Sequence, residues 1–557
     1  MNFRKKMNKT HIIIFVAVVF FICNCSKKEE TSLLKEFSMN QYIDSYFASP
    51  EDFDIHSNIK YPEILRDLYQ KNQNESFWFT DNRPNMQSEQ LLNLLANSMN
   101  YGLDTMLYNL PAIRCFQQGF TQDTLIVNKN KLSMLGYELC LTQSAVLFFS
   151  HLKRGIMQFN PLDYITNETI DSTSSYFKIY NYFDDFLQDS LINIAYHAFK
   201  NDSIEETIDM LQPQNPHYKR LQKALENYLQ NNPINRDSIQ VVYYEKDTVW
   251  TSTFDNYGKA CLALQKLKWS NITAKQYIFI NVPSFTLDFV EENILALSHK
   301  IICGTPKNQT PELNSRLSQI RLFPEWNVPL SIATKEILPM VQKNTKYLVR
   351  NNFEVLDNKG NILDPDSVPW KKYSENYLPV KIRQTTGSHN SLGTIMFYFD
   401  NASWIYFHDT PAKGLFNRAF RAFSHGCIRL QNPFAFADVI MEFDDGILHL
   451  PKDSLMKMKL YETQKRKKQD YDEKKECDSV YITFQNKIQE KESHTYDVKK
   501  NIRIYIRYLT AYCNENNQLC FAPDFYGRDS VLMLRYNEAV EEAVTQITTS
   551  QVILSDK

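Results

Sequence analysis

Glycine is scarce in this chain, at 13 of 557 residues, and neither a GxxxxGK(S/T) nor a GxGxxG pattern occurs. Both patterns bring backbone amides close to phosphate groups, so the sequence gives no support for nucleotide-phosphate chemistry. The formal net charge of -2 gives no electrostatic reason to expect a nucleic-acid partner. The absence of a CxxC pair argues against a zinc ribbon or a thioredoxin-type site. We therefore expect no cofactor, no metal and no nucleic acid.

The first 25 residues have the features of an export signal. Arg4, Lys5 and Lys6 precede an apolar run over residues 12–23, which is shorter than the roughly 18 residues that a spanning helix requires. Cys25 follows this run and precedes the polar stretch SKKEETS, an arrangement that resembles the processing site of a bacterial lipoprotein. We expect an exported protein of the bacterial cell envelope or periplasm, anchored to a membrane through a lipid on Cys25. A plain signal peptide or an uncleaved anchor is the alternative.

Export would place the remaining cysteines in an oxidising compartment. Cys513 and Cys520 flank the turn NENNQL and could pair across a hairpin. The sequence leaves the state of these two cysteines open.

The periodicity of apolar residues changes along the chain. Residues 26–235 place apolar side chains at helical spacing, as in KLSMLGYELCLTQSAVLFFSHLKRG, and this pattern predicts an all-helical domain. From IQVVYY onward, segments such as QYIFINVPSFTLDFV are rich in β-branched and aromatic residues, which favours strands. The predicted fold class is α+β and multidomain, with a boundary in residues 236–275.

A charged segment interrupts the strand-rich half. Residues 451–500 include ETQKRKKQDYDEKKE, whose mixed charges are typical of a solvated helix or a surface insertion. Strand-like sequence returns in residues 501–535, which we expect to rejoin the same sheet. Residues 536–557 predict a helical tail.

Residues 422–433, AFSHGCIRLQNP, concentrate reactive side chains in a short stretch. Cys427 could be a nucleophile, a metal ligand or a buried small side chain. The preceding segment MFYFDNASWIYFHDTP predicts a hairpin that turns at residues 400–401, with Tyr406 and His408 on one face of its second strand. The loop after this strand can return Cys427 to the strand end that carries His408, and we expect a helix, PFAFADVIMEF, to begin near Pro433.

Cysteine chemistry requires a thiolate, and a free thiol with a pKa of about 8.5 is mostly protonated at neutral pH. His408 or His425 could supply the base that removes the proton. Gly426 allows a close backbone approach, so the amides around Cys427 could bind an oxyanion. Arg429 could hold a substrate carboxylate or form a salt bridge within the loop. A metal site that uses His408, His425 and Cys427 is the alternative.

The segment HDTPAKGLFNRAFRAFSHGCIRLQNP resembles the signature of the L,D-transpeptidase family, a histidine followed by an (S/T)HGC motif and a short apolar–arginine step. In this sequence 15 residues separate His408 from Ser424. The segments PEWNVPLSIATKEILP and GSHNSLGTIMFYF resemble the large, multidomain branch of the family, and the region around HLKRG resembles its scaffold. The resemblance extends over most of residues 40–532.

The resemblance implies a role for each residue of the signature. Cys427 would be the nucleophile and His408 the proton acceptor and donor, with the backbone carbonyl of Asp409 orienting the imidazole. The backbone of Gly426 would contribute to the oxyanion hole. We assign substrate binding to Tyr406, Ser424, His425 and Arg429. The resemblance implies neither a metal nor a cofactor.

The resemblance also implies a division of the second half. Residues 276–450 would form a mixed, mainly β catalytic domain, with residues 323–384 as a lid and residues 501–535 as its terminal strands. Residues 236–275 are too few for a complete wall-binding module, so we expect a linker or a reduced form of that module.

The implied reaction is acyl transfer on peptidoglycan stem peptides. Cys427 would attack the carbonyl of the third residue, release the terminal D-alanine and pass the acyl group to the side-chain amine of a second stem, which gives a 3–3 cross-link. Two alternatives change the acceptor, to water in an L,D-carboxypeptidase or to a protein amine in wall attachment. A third is a non-catalytic, peptidoglycan-binding envelope lipoprotein.

Overall fold

The computed structural model describes residues 38–121, 127–158, 178–179, 185–234, 240–244, 247–251, 253–445 and 486–552. The predicted export signal with Cys25, and residues 451–485 of the charged segment, lie outside the described residues.

A helical domain makes up the first half of the described chain and encloses one hydrophobic core. Prolines open two of its helices, because proline at the first helical position loses no hydrogen bond and has a suitable φ. Before Pro216, the Asn215 side chain also accepts a hydrogen bond from the Tyr218 amide, a typical N-cap. The helices are α1 (Met39–Ala48), α2 (Pro62–Lys71), α3 (Met86–Ala96), α4 (Leu110–Thr121), α5 (Val127–Arg154), α6 (Asp185–Lys200), α7 (Ile204–Leu211), α8 (Pro216–Asn231) and α9 (Thr253–Trp269).

Helix α5 is the centre of this domain. Its segment Lys131–Arg154 is long and apolar enough to cross a membrane, with a mean hydropathy of 1.3, but 89% of the window is buried inside the structure. Glu138 on α5 is fully buried and accepts hydrogen bonds from the Tyr69 hydroxyl and from the amides of Phe77 and Trp78. This carboxylate therefore fixes the loop before α3, and α5 is a core helix of the helical domain.

The predicted linker at 236–275 contains a hairpin and helix α9. Ala260, Leu264 and Leu267 of α9 are buried within the core of the helical domain. The helix is therefore part of that domain rather than a linker, because its apolar face completes the core. Short hairpins pair β1 (Phe79–Thr80) with β2 (Arg83–Pro84), β3 (Met157–Gln158) with β4 (Lys178–Ile179), and β5 (Gln240–Tyr244) with β6 (Asp247–Thr251).

The second half is a mixed β-sheet that closes on itself. Neighbouring strands follow the order β15-β16-β18-β9-β8-β7-β20-β10, and β10 also pairs with β15, which completes the closure. Strands β19 and β17 add to β10 and β9. The strands are β7 (Tyr277–Asn281), β8 (Thr286–Glu291), β9 (Ile294–Gly304), β10 (Leu313–Leu322), β15 (Ile395–Phe399), β16 (Phe407–His408), β17 (Ala422–Ser424), β18 (Ile428–Leu430), β19 (His494–Asp497) and β20 (Arg503–Arg507).

Strand β7 explains how the two halves meet. Ile278 and Ile280 point into the core of the closed sheet, whereas Tyr277 and Phe279 alternate outward into the core of the helical domain. His217 of α8 stacks on Phe279 with ring centroids 4.0 Å apart. A strand buried on both faces reads as a continuous apolar run, as YIFIN does.

An insert subdomain, defined here as residues 323–384, has a four-stranded sheet of its own in the order β11-β14-β12-β13. Its core is separate from that of the closed sheet and includes Leu348, Val355 and Ile382. The elements are β11 (Trp326–Asn327), the helical turns Leu330–Ile332 and Ala333–Ile337, α10 (Leu338–Lys343), α11 (Lys346–Arg350), β12 (Phe353–Leu356), β13 (Ile362–Leu363) and β14 (Lys381–Gln384).

The final helix begins earlier than the sequence predicts, and the hairpin before it shows the arrangement of Cys513 and Cys520 that the sequence left open. The final helix, α13 (Arg528–Val552), begins before residue 536, within the predicted strand region. In the hairpin of β21 (Ala511–Cys513) and β22 (Leu519–Phe521), Cys513 lies opposite Leu519 and Cys520 lies opposite Tyr512. The two thiols are free and lie on opposite faces of the hairpin, so this register does not bring them together as a disulfide.

A buried ion pair joins α13 to α9. The Lys266 ammonium contacts the Asp529 carboxylate and donates to the Tyr508 carbonyl at 2.7 Å, and both charged side chains are 4% exposed. We expect Lys266→Met to lower the free energy of unfolding by about 3–5 kcal/mol, because it leaves a buried carboxylate without its cation. Urea unfolding followed by circular dichroism measures this loss.

The matched control is Lys335→Met, which removes an ion pair with Glu375 whose partners are both 60% exposed. We expect a change below about 1 kcal/mol there. The double variant Lys266→Met/Asp529→Leu should recover most of the loss. Equal destabilisation by the single and the double variant would contradict the buried-charge explanation.

Candidate active site

The sheet places the signature residues on two neighbouring strands. β16 and β18 are parallel, with Phe407 opposite Ile428 and His408 opposite Arg429. Cys427 directly precedes β18, and the Ile428 amide donates to the Tyr406 carbonyl at 3.1 Å. Since side chains alternate along a strand, Phe407 and Ile428 face the core, while Tyr406, His408, Cys427 and Arg429 share the other face. The helix predicted at Pro433 follows as α12 (Pro433–Asp445).

His408 is buried and held in one orientation. Its Nδ1 lies 2.5 Å from the backbone carbonyl oxygen of Asp409. Because a carbonyl oxygen can only accept a hydrogen bond, Nδ1 carries the hydrogen and Nε2 of the neutral ring keeps its lone pair. Burial, followed by the charge of Arg429, lowers the pKa of His408 to about 3, against the opposing effect of the Asp409 carbonyl. The ring is therefore neutral at pH 7 and its Nε2 can accept a proton.

The Cys427 thiol lies beside groups that favour its thiolate. Burial raises the pKa of Cys427, while hydrogen bonding from Tyr406 and the charge of Arg429 lower it. The Tyr406 ring lies 5.8 Å, between centroids, from the His408 ring, so Tyr406 contacts both candidate catalytic residues. A buried thiol on the same face of the sheet as a neutral imidazole fits general-base activation rather than a pre-formed ion pair.

Two hydroxyl groups fix the turn that carries Cys427. The Ser424 Oγ–H donates to the Cys427 carbonyl at 2.5 Å and accepts from the Gly426 amide at 3.2 Å. The Thr310 hydroxyl donates to the Gly426 carbonyl at 2.8 Å. Gly426 has φ +112, a left-handed conformation that side chains rarely adopt. This arrangement differs from the predicted oxyanion role, because the Gly426 N–H is already donated to Ser424.

His425 points toward the insert subdomain. Its Nε2 lies 2.6 Å from Oε1 of Glu336, and the two side chains are 43% and 53% exposed. Glu336 lies in a π-helical turn, a feature that is frequent at functional sites. From the same subdomain, the Trp326 side chain is hydrogen-bonded to Tyr406. The insert subdomain therefore contacts the signature region at two points. His425 faces this subdomain, whereas His408 on β16 shares a face of the sheet with Cys427.

Arg429 places a positive charge beside both catalytic candidates. Its charge affects the pKa values of His408 and Cys427, and its own pKa is lowered by burial. Its Nε is buried and has no hydrogen-bond partner among the described residues. This N–H can therefore donate to an incoming anionic or carbonyl oxygen, which fits the predicted substrate-binding role better than a salt bridge within the loop.

Sequence reasoning missed the residues that support Asp409. The amide and hydroxyl of Thr394 both donate to Oδ2 of Asp409 at 3.0 Å, and Lys413 lies 2.6 Å from its Oδ1. A Cβ at Gly393 would lie 2.4 Å from the Asp409 side chain, so only glycine fits there. The glycine of SLGTIMF was the available signal, but without an assigned contact a lone glycine indicates only a turn.

The metal alternative has no cluster to support it. Among the residues that the structure describes, no group of three or more histidine, cysteine, aspartate or glutamate side chains is placed to hold a metal ion. His425 faces Glu336 and His408 is bonded to Asp409, so the two histidines point to different partners.

The buried, neutral state of His408 has a consequence for stability. Its pKa of about 3 lies below the unfolded value of 6.5, so the unfolded chain binds a proton first as the pH falls. This contribution to stability is complete above pH 6.5 and is lost as the pH falls toward 3. We expect the stability loss between pH 6 and pH 5 to be about 1.2 kcal/mol smaller in His408→Gln than in the wild type.

Urea unfolding at the two pH values measures this difference. His151 and His299 are also buried with pKa values lowered to about 3 and about 4, so both proteins should lose stability in acid. Only the difference between their slopes reports on His408. Identical slopes would contradict a buried, neutral His408.

Two family models match the chain. Residues 275–448 match the YkuD L,D-transpeptidase catalytic domain, and residues 63–225 match a scaffold domain. A protein of Haemophilus influenzae named "Putative L,D-transpeptidase" is 28% identical over 338 residues, which are 58% of this chain and 60% of that protein. This chain thus spans less than two thirds of that relative's length.

A solved structure, the "Ldtfm-avibactam carbamoyl enzyme", aligns with 38% of this chain and 71% of its own chain at 10% sequence identity and a TM-score of 0.15. A TM-score this low carries no structural argument. The two matched domains lie within the closed sheet and the helical domain instead. The chain therefore contains an L,D-transpeptidase catalytic domain, preceded by a scaffold domain.

Proposed function

We propose that this protein forms 3–3 cross-links in peptidoglycan through a thioester on Cys427, with release of D-alanine from tetrapeptide stems. The observation that carries the proposal is the shared face of β16 and β18, on which His408, with its Nε2 lone pair available, and the Cys427 thiol lie together. The family match to residues 275–448 supports the reaction class.

In the acylation step, Nε2 of His408 takes the proton of the Cys427 thiol, and the sulfur attacks the carbonyl carbon of the third stem residue. The charge of Arg429 and the Tyr406 hydrogen bond stabilise the sulfur as it becomes anionic. The Cys427 amide would donate to the oxyanion, since Ser424 already accepts the Gly426 amide. The imidazolium then gives its proton to the leaving amine of D-alanine, and a thioester remains.

In the transfer step, the side-chain amine of a second stem attacks the thioester carbonyl. His408 accepts a proton from this amine and returns it to the departing sulfur, so the enzyme is regenerated with a neutral pair. The bond between Nδ1 and the Asp409 carbonyl holds the ring in the same tautomer in both steps. An amine acceptor requires that water be kept from the thioester.

The insert subdomain would supply this exclusion of water as a lid. Two contacts support the proposal, the ion pair of His425 with Glu336 and the hydrogen bond of Trp326 with Tyr406. Both join the insert to residues that adjoin the catalytic pair. The substrate would contact His425 in the turn before Cys427, Tyr406 directly before β16, and Arg429 on β18.

Incubation with purified disaccharide-tetrapeptide and mass analysis of the products tests the function. A cross-linked dimer with loss of one D-alanine supports transpeptidation. A tripeptide alone indicates an L,D-carboxypeptidase, and adducts on added protein indicate wall attachment. Binding without any release of D-alanine from correctly folded protein would contradict an enzymatic role.

We also propose that the chain is exported to the bacterial cell envelope and held at a membrane by a lipid on Cys25. The basic residues, the short apolar run and the polar stretch after Cys25 support this location. Mass spectrometry of the mature N-terminus from cells tests it. An unmodified N-terminus upstream of Cys25 would contradict lipid anchoring.

A further inference from the structure

Trp404 presents an unusually large apolar surface to solvent. Its side chain is 87% exposed, the largest value for a large hydrophobic residue in the described part of the chain. An exposed indole leaves a wide flat face in water, and burial of that face against a partner is favourable. Single exposed aliphatic residues are ordinary, but a tryptophan this exposed requires a second observation before it indicates a site.

The backbone of Trp404 provides that observation. Its φ of +54 lies in the left-handed region, which is strained for a bulky side chain. Asn401 holds the loop in this form, because its Nδ2 donates to the carbonyls of Phe399 at 2.9 Å and Ile405 at 2.8 Å. Its Oδ1 also accepts from the Ile405 amide at 3.0 Å. Such fixed strain is concentrated at binding and catalytic sites.

The loop lies at the edge of the active site. It joins β15 to β16, the strand that carries His408. Ile405 packs beside the catalytic turn, since a Cβ at Gly426 would lie 3.5 Å from Ile405 Cγ2. Tyr406 follows and is hydrogen-bonded to Cys427. Trp404 is therefore two residues from a direct contact of the proposed nucleophile.

The reach of the proposed donor substrate matches this position. The stem residue attacked by Cys427 is the third from the sugar, and three extended residues span about 10 Å. The Cα of Trp404 is within about 7 Å of the Cα of Tyr406, and the indole extends farther. A sugar ring at the start of a stem bound to Cys427 can therefore reach the indole.

We propose that Trp404 is a stacking platform for a sugar ring of the glycan strand that carries the donor stem, an inference that rests on the proposed function. The C–H face of a pyranose is apolar and flat, so it can pack on an indole while its hydroxyl groups remain in water. The strained loop holds the indole in place before binding, which lowers the entropy lost on association. The site would thus recognise donors that are still attached to glycan.

The test measures binding of two ligands, a disaccharide-tetrapeptide and the sugar-free tetrapeptide, by calorimetry on Cys427→Ala protein, which cannot turn over. We expect the disaccharide form to bind about 10-fold more tightly, and Trp404→Ala to abolish this preference while the sugar-free peptide binds as before. Trp404→Phe should keep part of the preference. Ser403→Ala, an exposed neighbour in the same loop, should leave it unchanged.

This readout does not depend on catalysis, so it separates the two proposals. A sugar preference that depends on Trp404, together with no release of D-alanine by the wild type, supports the stacking site and contradicts the proposed reaction. Turnover by the wild type with equal affinity for both ligands overturns the stacking site alone. Equal weakening of both ligands by Trp404→Ala also overturns it, because the indole would then contact peptide. Thermal unfolding confirms that each variant is folded.

Discussion

Cys427→Ala is expected to reduce release of D-alanine from disaccharide-tetrapeptide by about 10 000-fold or more, because no other group in the proposed mechanism can form the acyl-enzyme. Affinity for the peptide should be nearly unchanged, since the truncation removes a single sulfur atom from a site whose turn is fixed by Ser424 and Thr310. Coupled detection of free D-alanine measures the rate, and calorimetry measures the affinity.

Cys520→Ala is the matched control. Cys520 is likewise a free, partly buried cysteine, but it lies on the hairpin of β21 and β22 rather than on the catalytic face. We expect its activity to be within about twofold of the wild type. Comparable losses in the two variants would indicate an effect on folding and would contradict a specific role for Cys427.

His408→Ala is expected to lower kcat by about 100- to 10 000-fold, the usual contribution of a positioned general base. The loss should be in kcat rather than in KM, because in the proposed mechanism the imidazole transfers protons, and its burial leaves little surface for substrate binding. Steady-state release of D-alanine gives both constants. Added imidazole should restore part of the activity through the cavity that the variant leaves, an outcome that a merely structural histidine would not produce.

His425→Ala separates the two candidate bases that the sequence left open. His425 faces Glu336 and is half-exposed, whereas His408 is buried and has its tautomer fixed by Asp409. We expect a loss below about 10-fold for His425→Ala, because exposed ion pairs contribute little. A larger loss in His425→Ala than in His408→Ala would reverse the proposed roles.

Much of the fold could be predicted from local sequence pattern. Helical spacing predicted the helical domain, and the matched catalytic domain follows in the region that β-branched and aromatic residues marked as strands. These predictions succeed because amphipathic periodicity reports which face of an element is buried. The helix that begins at Pro433 was also predicted, and its first residue is proline, which is favoured at that position of a helix.

The prediction of the hairpin before His408 was wrong in detail. A turn at residues 400–401 would have placed Tyr406 within the second strand. In the structure Met396 pairs with His408, and a longer loop spans residues 400–406. Asn401 causes this difference, because its side chain bonds the backbone of Ile405 across the loop and replaces strand pairing. A side-chain bond between residues four apart leaves no periodic signal in the sequence.

The contacts of the insert subdomain could not be predicted from the sequence either. Glu336 and His425 are 89 positions apart, and neither lies in a pattern that marks the other. The same holds for Thr310, which fixes the Gly426 carbonyl from a distant loop. Local residue patterns carry information about neighbouring positions, whereas these contacts are set by the packing of separate elements. The roles of the motif residues therefore stay a prediction from the sequence, whereas the partners that position them are visible only in the fold.

The intact mass of the protein, after a short incubation with disaccharide-tetrapeptide and acid quenching, reports directly whether Cys427 forms a thioester. We expect one added acyl group, equal to the donor minus D-alanine, on the peptide that contains Cys427. Hydroxylamine should remove this group, as expected for a thioester. An unmodified Cys427 in folded protein that binds the peptide and releases D-alanine, or an adduct on another residue, would contradict the proposed mechanism.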